Sequence, residues 1–360
     1  MKAITGLDLP AGSPGGSVEL LRDLYLAPDR PIPADVFMLA ARGGKAETGP
    51  PALLEVDGKQ LSGAGFWRYV DDLAAAIRRR FAADDYAIVH LQHLAFGATP
   101  ALLRAFPQHP SLALVHGTDL LFAADHPTQA EVLAKATAAA GAVVVPTAAM
   151  ADLLRAVTSA APRRVVHIPW GVPDYLLATP PPRTESTADD LRVLYAGRLT
   201  AEKGAEPLVA AVAHLDGVSL GVAAPEAEYQ ALRSRIDLSN VHYLGWLSRR
   251  ELWQAFADHD VLVVPSTRLE AFSLVAVEAQ ACGLPVIYQP VPGLAEVLGD
   301  TALGIDLSSG PGALVETVAW LRKDPDVLDD VRASGYRNAA RFPLSATGRE
   351  IQGLSTELQG

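Results

Sequence analysis

An α/β protein made of two successive parallel-sheet units is what this sequence predicts, and three observations carry the expectation. Strand-like apolar runs alternate with helix-like runs along the whole chain, as in proteins whose parallel strands are covered by helices. The length of 360 residues favours two domains, each large enough for its own core. A proline-rich polar stretch, Thr179 to Asp190, interrupts the alternation and reads as an interdomain linker.

Taken in order, Ala3 to Leu7 is a short, mostly apolar strand, followed by a turn-rich segment ending at Gly15 and Gly16. Ser17 is a suitable N-cap for a helix over Val18 to Leu26. Further strands are expected at Tyr86 to His90, Leu112 to Val115, Ala142 to Val145 and Val165 to Ile168. After the linker the strands are Val193 to Ala196, Ser219 to Ala223, Val241 to Leu244, Val261 to Val264 and Pro285 to Tyr288. Val315 to Leu321, Pro325 to Ser334 and Leu344 to Leu358 have helical spacing. The expected boundaries are an N-terminal domain over 1–176, a linker over 177–190, a C-terminal domain over 191–343 and a closing helix over 344–360. No repeat of solenoid period is present.

Composition narrows the function classes. The net charge is −11, and the acidity is concentrated in one half: residues 1–175 carry 15 basic and 17 acidic groups, the remainder 15 and 24. No basic face points to nucleic acid, and no lysine-rich helix points to strong membrane binding. The single cysteine, Cys282, excludes an intramolecular disulfide framework and reads as a buried structural thiol. The N-terminus lacks a long apolar stretch, so a cytoplasmic location is expected.

The stretch from Val261 to Ile287 is the most informative about chemistry. A buried-type strand meets a polar turn, and Glu270 and Glu278 follow with seven residues between them. On one helix that spacing corresponds to roughly 12 Å of rise, whereas a hydrolase carboxylate pair stands about 5 to 9.5 Å apart. Two carboxylates at that separation suit hydroxyl clusters at opposite ends of one long ligand, with helix N–H groups facing an anion between them. A nucleotide diphosphate sugar has this layout.

This block resembles the Glu-x7-Glu signature of the family-four retaining glycosyltransferases (glycosyltransferases group 1). The match extends to Pro265-Ser266 before it and Cys282-Gly283-Leu284-Pro285-Val286 after it. The resemblance implies the GT-B fold, two Rossmann-like parallel-sheet domains facing a central cleft. A second segment, Gly197-Arg198-Leu199-Thr200-Ala201-Glu202-Lys203-Gly204, follows a strand and opens a helix. Arg198 can fork two phosphate oxygens while Lys203 supplies a point charge. The segment resembles the family's Gly-Arg-Leu-x-x-Glu-Lys-Gly string, whose Arg and Lys hold the donor diphosphate.

On the same resemblance, Ser273, Leu274 and Val275 offer backbone donors to phosphate, Glu270, Ala271 and Phe272 meet the sugar, and Glu278 accepts the ribose hydroxyls. Phe272 and Leu274 also suit packing at the helix base. Gly245, Trp246, Leu247 and Ser248 form the loop where this architecture reads the base, uracil or guanine. Gly15 and Gly16 sit where the family's glycine-rich loop reaches the diphosphate and acceptor. His116, with Thr118 and Asp119, resembles the family's His-Gly-Thr-Asp segment beside the donor sugar.

His90 and His93 flank a strand end and suit either an acceptor pocket or packing. Ile168 to Asp174 resembles the family's Ile-Pro-Asn-Gly-Val-Asp hinge, but Trp170 stands in place of the asparagine and Pro173 is inserted. Part of the acceptor recognition is expected in the loop from Arg42 to Gly65.

The expected activity is sugar transfer, with retention, from a UDP- or GDP-sugar to a hydroxyl of a small-molecule or glycoside acceptor. Arg198, Lys203, His116 and Glu270 are the expected catalytic residues. The expected cation role falls to Arg198 and Lys203, so no metal and no cofactor are expected; the protein is expected to be a monomer or homodimer. A nucleotide-sugar epimerase, a sugar phosphorylase or a catalytically silent partner subunit can share the fold. A nicotinamide dehydrogenase is disfavoured, because no Gly-x-Gly-x-x-Gly follows a strand.

Overall fold

The computed structural model describes residues 2–41, 49–184, 190–213 and 215–360. The chain forms two compact units: one runs to Trp170 and resumes at Leu344–Gly360, and the other is Gly171–Pro343.

Among the described residues the first unit holds seven strands: β1 (Ala3–Pro10), β2 (Ala34–Leu39), β3 (Ala52–Leu54), β4 (Ile88–Leu91), β5 (Ser111–Leu114), β6 (Ala142–Val145) and β7 (Val165–His167). Their order is β3-β2-β1-β4-β5-β6-β7, and every described pairing is parallel. The central strands β4, β5 and β6 are buried at every residue, as expected for a parallel sheet covered on both faces. Strands β2 and β3 lie in a region where no strand was expected.

The second unit holds β8 (Leu191–Ala196), β9 (Val218–Ala223), β10 (Val241–Gly245), β11 (Val261–Val264), β12 (Val286–Tyr288) and β13 (Leu303–Gly304). Their order is β10-β9-β8-β11-β12-β13, again with all described pairs parallel. Val193, Val222, Val261, Val263 and Ile287 meet Leu208, Val209, Leu314 and Val318 from the helices in one core.

Three local expectations need correction. The first helix is Gly16–Tyr25, capped by Gly15 at φ 139° without a side-chain bond, so Ser17 lies inside the helix rather than at its cap. Glu270 and Glu278 do not share a helix, because helix Leu274–Ala281 begins only after Ser273; the rise argument therefore does not measure their separation. The expected linker over 177–190 starts inside helix Asp174–Ala178, and its Arg183 and Thr184 bond to Phe256, Asp258 and His259 of the second unit. Residues 185–189 of that stretch, like 42–48 of the expected acceptor loop, lie outside the described residues.

Helix Leu344–Glu357 packs within the first unit. Thr347 Oγ1 donates to Pro169 O at 2.8 Å, and Arg164 pairs with Glu357 at 2.7 Å. Its deepest contact is His90, which has no exposed surface. His90 Nδ1 lies 2.9 Å from Tyr25 Oη, and Nε2 lies 2.9 Å from Ser355 Oγ. Ser355 already gives its proton to Ile351 O, so its oxygen accepts from His90 Nε2–H and Tyr25 donates to Nδ1. That pattern holds the ring neutral, and burial lowers its pKa to about 3.

A histidine whose folded pKa is depressed contributes stability above its unfolded pKa and loses it as pH falls. The window here runs from 6.5 down to about 3. Replacing His90→Gln should therefore shrink the loss of stability between pH 7 and pH 5 by about 2 kcal/mol. Urea unfolding curves at the two pH values measure this, and an unchanged difference would assign acid unfolding to another group.

Candidate functional site

In the second unit, the C-terminal ends of β8 and β11 bring the two motifs together, the usual position for ligands in open parallel sheets. Tyr195 Oη donates to Arg198 O at 2.5 Å, anchoring the loop that leaves β8. Glu228 then clamps the loop: Oε1 accepts from Arg198 Nε at 3.2 Å and Oε2 from Leu199 N at 2.6 Å. The Arg198 side chain keeps 55 % of its surface exposed, so its remaining guanidinium donors face outward. Lys203 Nζ donates to Glu270 Oε1 at 2.5 Å, and Ser266 Oγ donates to the same oxygen at 2.5 Å. The two motifs, far apart in sequence, are thus joined by an ion pair.

Gly204 permits this approach. Its φ is 63°, and a Cβ there would lie 2.1 Å from Pro265 O. Thr267 N also donates to Glu202 O at 2.9 Å, stitching the two turns together.

Ser273 caps helix Leu274–Ala281 in the left-handed region, at φ 65°, a strained position for a residue with a Cβ. The first helical turn leaves N–H groups without intrahelical acceptors, and the helix dipole favours an anion there. Phe272 is buried and meets Phe342 edge-on at 5.1 Å, so its ring packs the core while its backbone lines the turn. Within the helix, Glu278 is buried; Oε1 accepts from Arg249 Nη2 at 2.5 Å and Oε2 from Trp253 Nε1 at 2.6 Å. Gly245 has φ 80° with open space beside it, and Trp246 is exposed.

The first unit gathers a separate set. Gly15 caps and Gly16 begins the first helix, after the turn that follows β1. His116 follows β5, with Gly117 at φ 91° behind it. Its ring lies between Trp170, stacked at 5.7 Å, and His93 at 4.8 Å. Its Nε2 is buried without a hydrogen-bond partner. Burial, with His93 adding to it, holds the His116 pKa well below 6.5; burial and then Lys59 lower that of His93 to about 3. Both rings are neutral at physiological pH. Trp170, the residue that departs from the hinge motif, thus stacks on the histidine beside which the motif placed the donor sugar.

Asp119 is fully buried, and its Oδ2 accepts from Leu94 N at 2.8 Å while Oδ1 has no partner. Burial pushes its pKa up to about 6. It fixes the loop after β4 together with Gln129 and Asp8, which accept from Phe96 N at 2.8 Å and Gly97 N at 3.1 Å. These bonds hold Phe96 at φ 67°. Thr118 is exposed. His90, expected on the acceptor side or in packing, has both ring nitrogens engaged inside the core, whereas the His93 ring lies against His116. Among the described residues, no three His, Cys, Asp or Glu side chains group to hold a metal.

Several residues of this arrangement carry no motif signal: Asp8 with Lys59 at 3.1 Å, Glu228, Arg249 and Trp253. For two of them a signal exists: the four-residue spacing of Arg249 and Trp253, after the loop expected to meet the base, sets them on one helix face.

Two all-parallel Rossmann-like units with these motifs define the GT-B class of glycosyltransferases. The structural comparison agrees: sucrose-phosphate synthase from Thermosynechococcus elongatus matches with a TM-score of 0.80 at 20% identity, covering 99% of this chain and 98% of that one. Anabaena HepE, solved with UDP-glucose, matches with a TM-score of 0.78 at 17% identity, covering 99% and 100%. Residues 181–338 match the family described as Glycosyl transferases group 1, and residues 22–174 match Glycosyltransferase Family 4. The chain belongs to these group 1, family 4 glycosyltransferases, enzymes that transfer a sugar from a nucleotide sugar. A D-inositol 3-phosphate glycosyltransferase of Catenulispora acidiphila is 29% identical over 391 aligned positions, spanning 95% of this chain and 92% of the relative. No described helix is long and apolar enough to cross a membrane.

The close approach at Gly204 generates a stability prediction. Gly204→Ala should destabilise the protein by about 2 kcal/mol or more, from left-handed strain plus the contact with Pro265 O. Gly245→Ala, strained in φ but open in space, should cost about 1 kcal/mol. Thermal unfolding of the pair measures the difference; equal losses would remove the Pro265 contact from the explanation.

Proposed function

We propose that this enzyme transfers a sugar, with retention, from a UDP- or GDP-sugar to a hydroxyl of a small soluble acceptor. The observation that carries the reading is the joining of Arg198, Lys203, Glu270 and the N-terminus of helix Leu274–Ala281 within one unit, with Glu278 further along that helix. Cations and N–H groups suit a diphosphate, and the carboxylates at either side suit the hydroxyls of a sugar and a ribose.

In this mechanism the diphosphate draws Lys203 and Arg198 away from Glu270 and Glu228. Glu270, released from the cation, accepts donor-sugar hydroxyls. In the first unit, the unpartnered Nε2 of neutral His116 is available to a hydroxyl. The bond from the anomeric carbon to the diphosphate oxygen breaks as the acceptor oxygen bonds to that carbon on the same face. The acceptor proton passes to the leaving phosphate. Arg198, Lys203 and the helix N–H groups stabilise the charge that develops there, a role that metal-dependent transferases give to a divalent cation, so metal-independent transfer is proposed.

The acceptor class proposed is a small polyol, supported by the inositol 3-phosphate in the name of the relative that aligns over most of its length. A cytoplasmic location and a monomeric or homodimeric state complete the proposal.

Arg198→Ala and Lys203→Ala should each lower turnover at saturating donor by about 100- to 1000-fold, the loss typical of removing one charge-stabilising donor. Unchanged turnover would sink the mechanism. Incubating the protein with UDP- and GDP-sugars, with and without inositol phosphate, and following the anomeric NMR signals tests the reaction itself. A glycoside with the donor's anomeric configuration is expected; an epimeric nucleotide sugar formed without acceptor would replace the transferase with an epimerase.

A further inference from the structure

We propose that Trp253, acting with Arg249, is a positioning residue that fixes the carboxylate of Glu278 and so sets a preference for ribonucleotides over 2′-deoxyribonucleotides. The inference rests on Glu278 meeting the ribose, as proposed above.

A glutamate carboxylate rotates over a broad, roughly two-fold torsion unless something holds it. Here each oxygen has its own donor, Arg249 Nη2 at 2.5 Å on Oε1 and Trp253 Nε1 at 2.6 Å on Oε2. An ionised carboxylate offers about four acceptor sites, so the two donors leave capacity for a pair of adjacent hydroxyls. Vicinal 2′ and 3′ hydroxyls require that capacity in one orientation, and a binding group is effective only when its own neighbours lock it.

The lock is itself held. The Arg249 guanidinium lies over the Trp253 ring at 5.3 Å, and Tyr175 meets the indole edge-on at 5.6 Å. Trp253 is buried, so the indole has little freedom to turn away. Arg249 is the first residue of helix Arg249–Asp258, whose capping box joins Ser248 and Glu251. That helix starts directly after Gly245, Trp246 and Leu247. The loop expected to meet the base and the two side chains that aim Glu278 are therefore carried by one continuous segment. A fixed carboxylate that hydrogen-bonds a hydroxyl discriminates against a ligand lacking it, because the carboxylate then stays buried with an empty acceptor site.

The test is calorimetric binding of UDP and 2′-deoxy-UDP, with GDP and 2′-deoxy-GDP as a second pair. The wild-type protein should prefer the ribonucleotide by about tenfold to a hundredfold. Trp253→Phe keeps the aromatic body and removes only the N–H; it should reduce that ratio by about tenfold, mainly by weakening the ribonucleotide. Arg249→Lys should retain more of the ratio than Arg249→Met, which also provides a test should Trp253→Phe fail to fold by thermal unfolding. Glu278→Gln separates the two ideas. If Glu278→Gln collapses the ratio while the Trp253 and Arg249 variants keep it, the positioning role is overturned and the ribose reading stands. If Glu278→Gln also keeps the ratio, or the wild type binds neither pair, both are overturned. Equal weakening of the ribo and deoxy forms in the Trp253 variant would leave that residue a structural one and likewise overturn the proposal.

Discussion

A buried carboxylate is stable only when donors meet it, and much of the second unit is arranged around two of them. Glu270 takes Lys203 and Ser266; Glu278 takes Arg249 and Trp253. These bonds tie the turn after β8, the turn after β11 and the helix that follows β10 into one assembly. Gly204 lets the two turns touch, and Ser273 accepts left-handed strain so that the helix can begin where it does. Lys203, which compensates Glu270, is one of the two cations proposed to meet a diphosphate; the other, Arg198, pairs with Glu228. On that proposal, these two internal pairs are the ones an anion replaces.

The first unit solves a related problem with neutral groups. His93 and His116 lie ring against ring, a contact that two charged imidazolium ions would oppose, and burial keeps both uncharged. Asp8 and Asp119 each turn one carboxylate oxygen to a loop N–H group. The loop after β4 owes its unusual turn at Phe96 to those side chains, so its shape is set by residues from β1 and from the helix after β5.

Much of the architecture was legible in sequence because parallel strands buried on both faces are written as short valine- and leucine-rich runs. The GT-B expectation and the family resemblance were borne out. Strands β3 and β13, three and two residues long, carry no readable period. The helix start at Gly16 was misplaced because a serine is a good cap in isolation, whereas the positive φ available to Gly15 decided the matter. Polar pairing was least legible. Trp253 reaches Glu278 across 25 positions and His90 reaches Ser355 across 265. No local pattern encodes such partners; only folding brings them together. Arg198, Lys203 and Glu270 stand out in the sequence because the neighbours of each follow a fixed string.

The contact between His90 and the final helix has a consequence for how the chain is made. The second unit is one continuous segment, while the first needs residues from both ends of the sequence. During synthesis, strands β1 to β7 emerge first, yet Ser355 and Thr347 emerge only after the whole second unit has left the ribosome. Domains generally fold as units while the chain grows. Here the order of completion runs against the order of translation: the unit begun first is finished last, and until then the face of its sheet that His90 and Tyr25 underlie must wait without its cover.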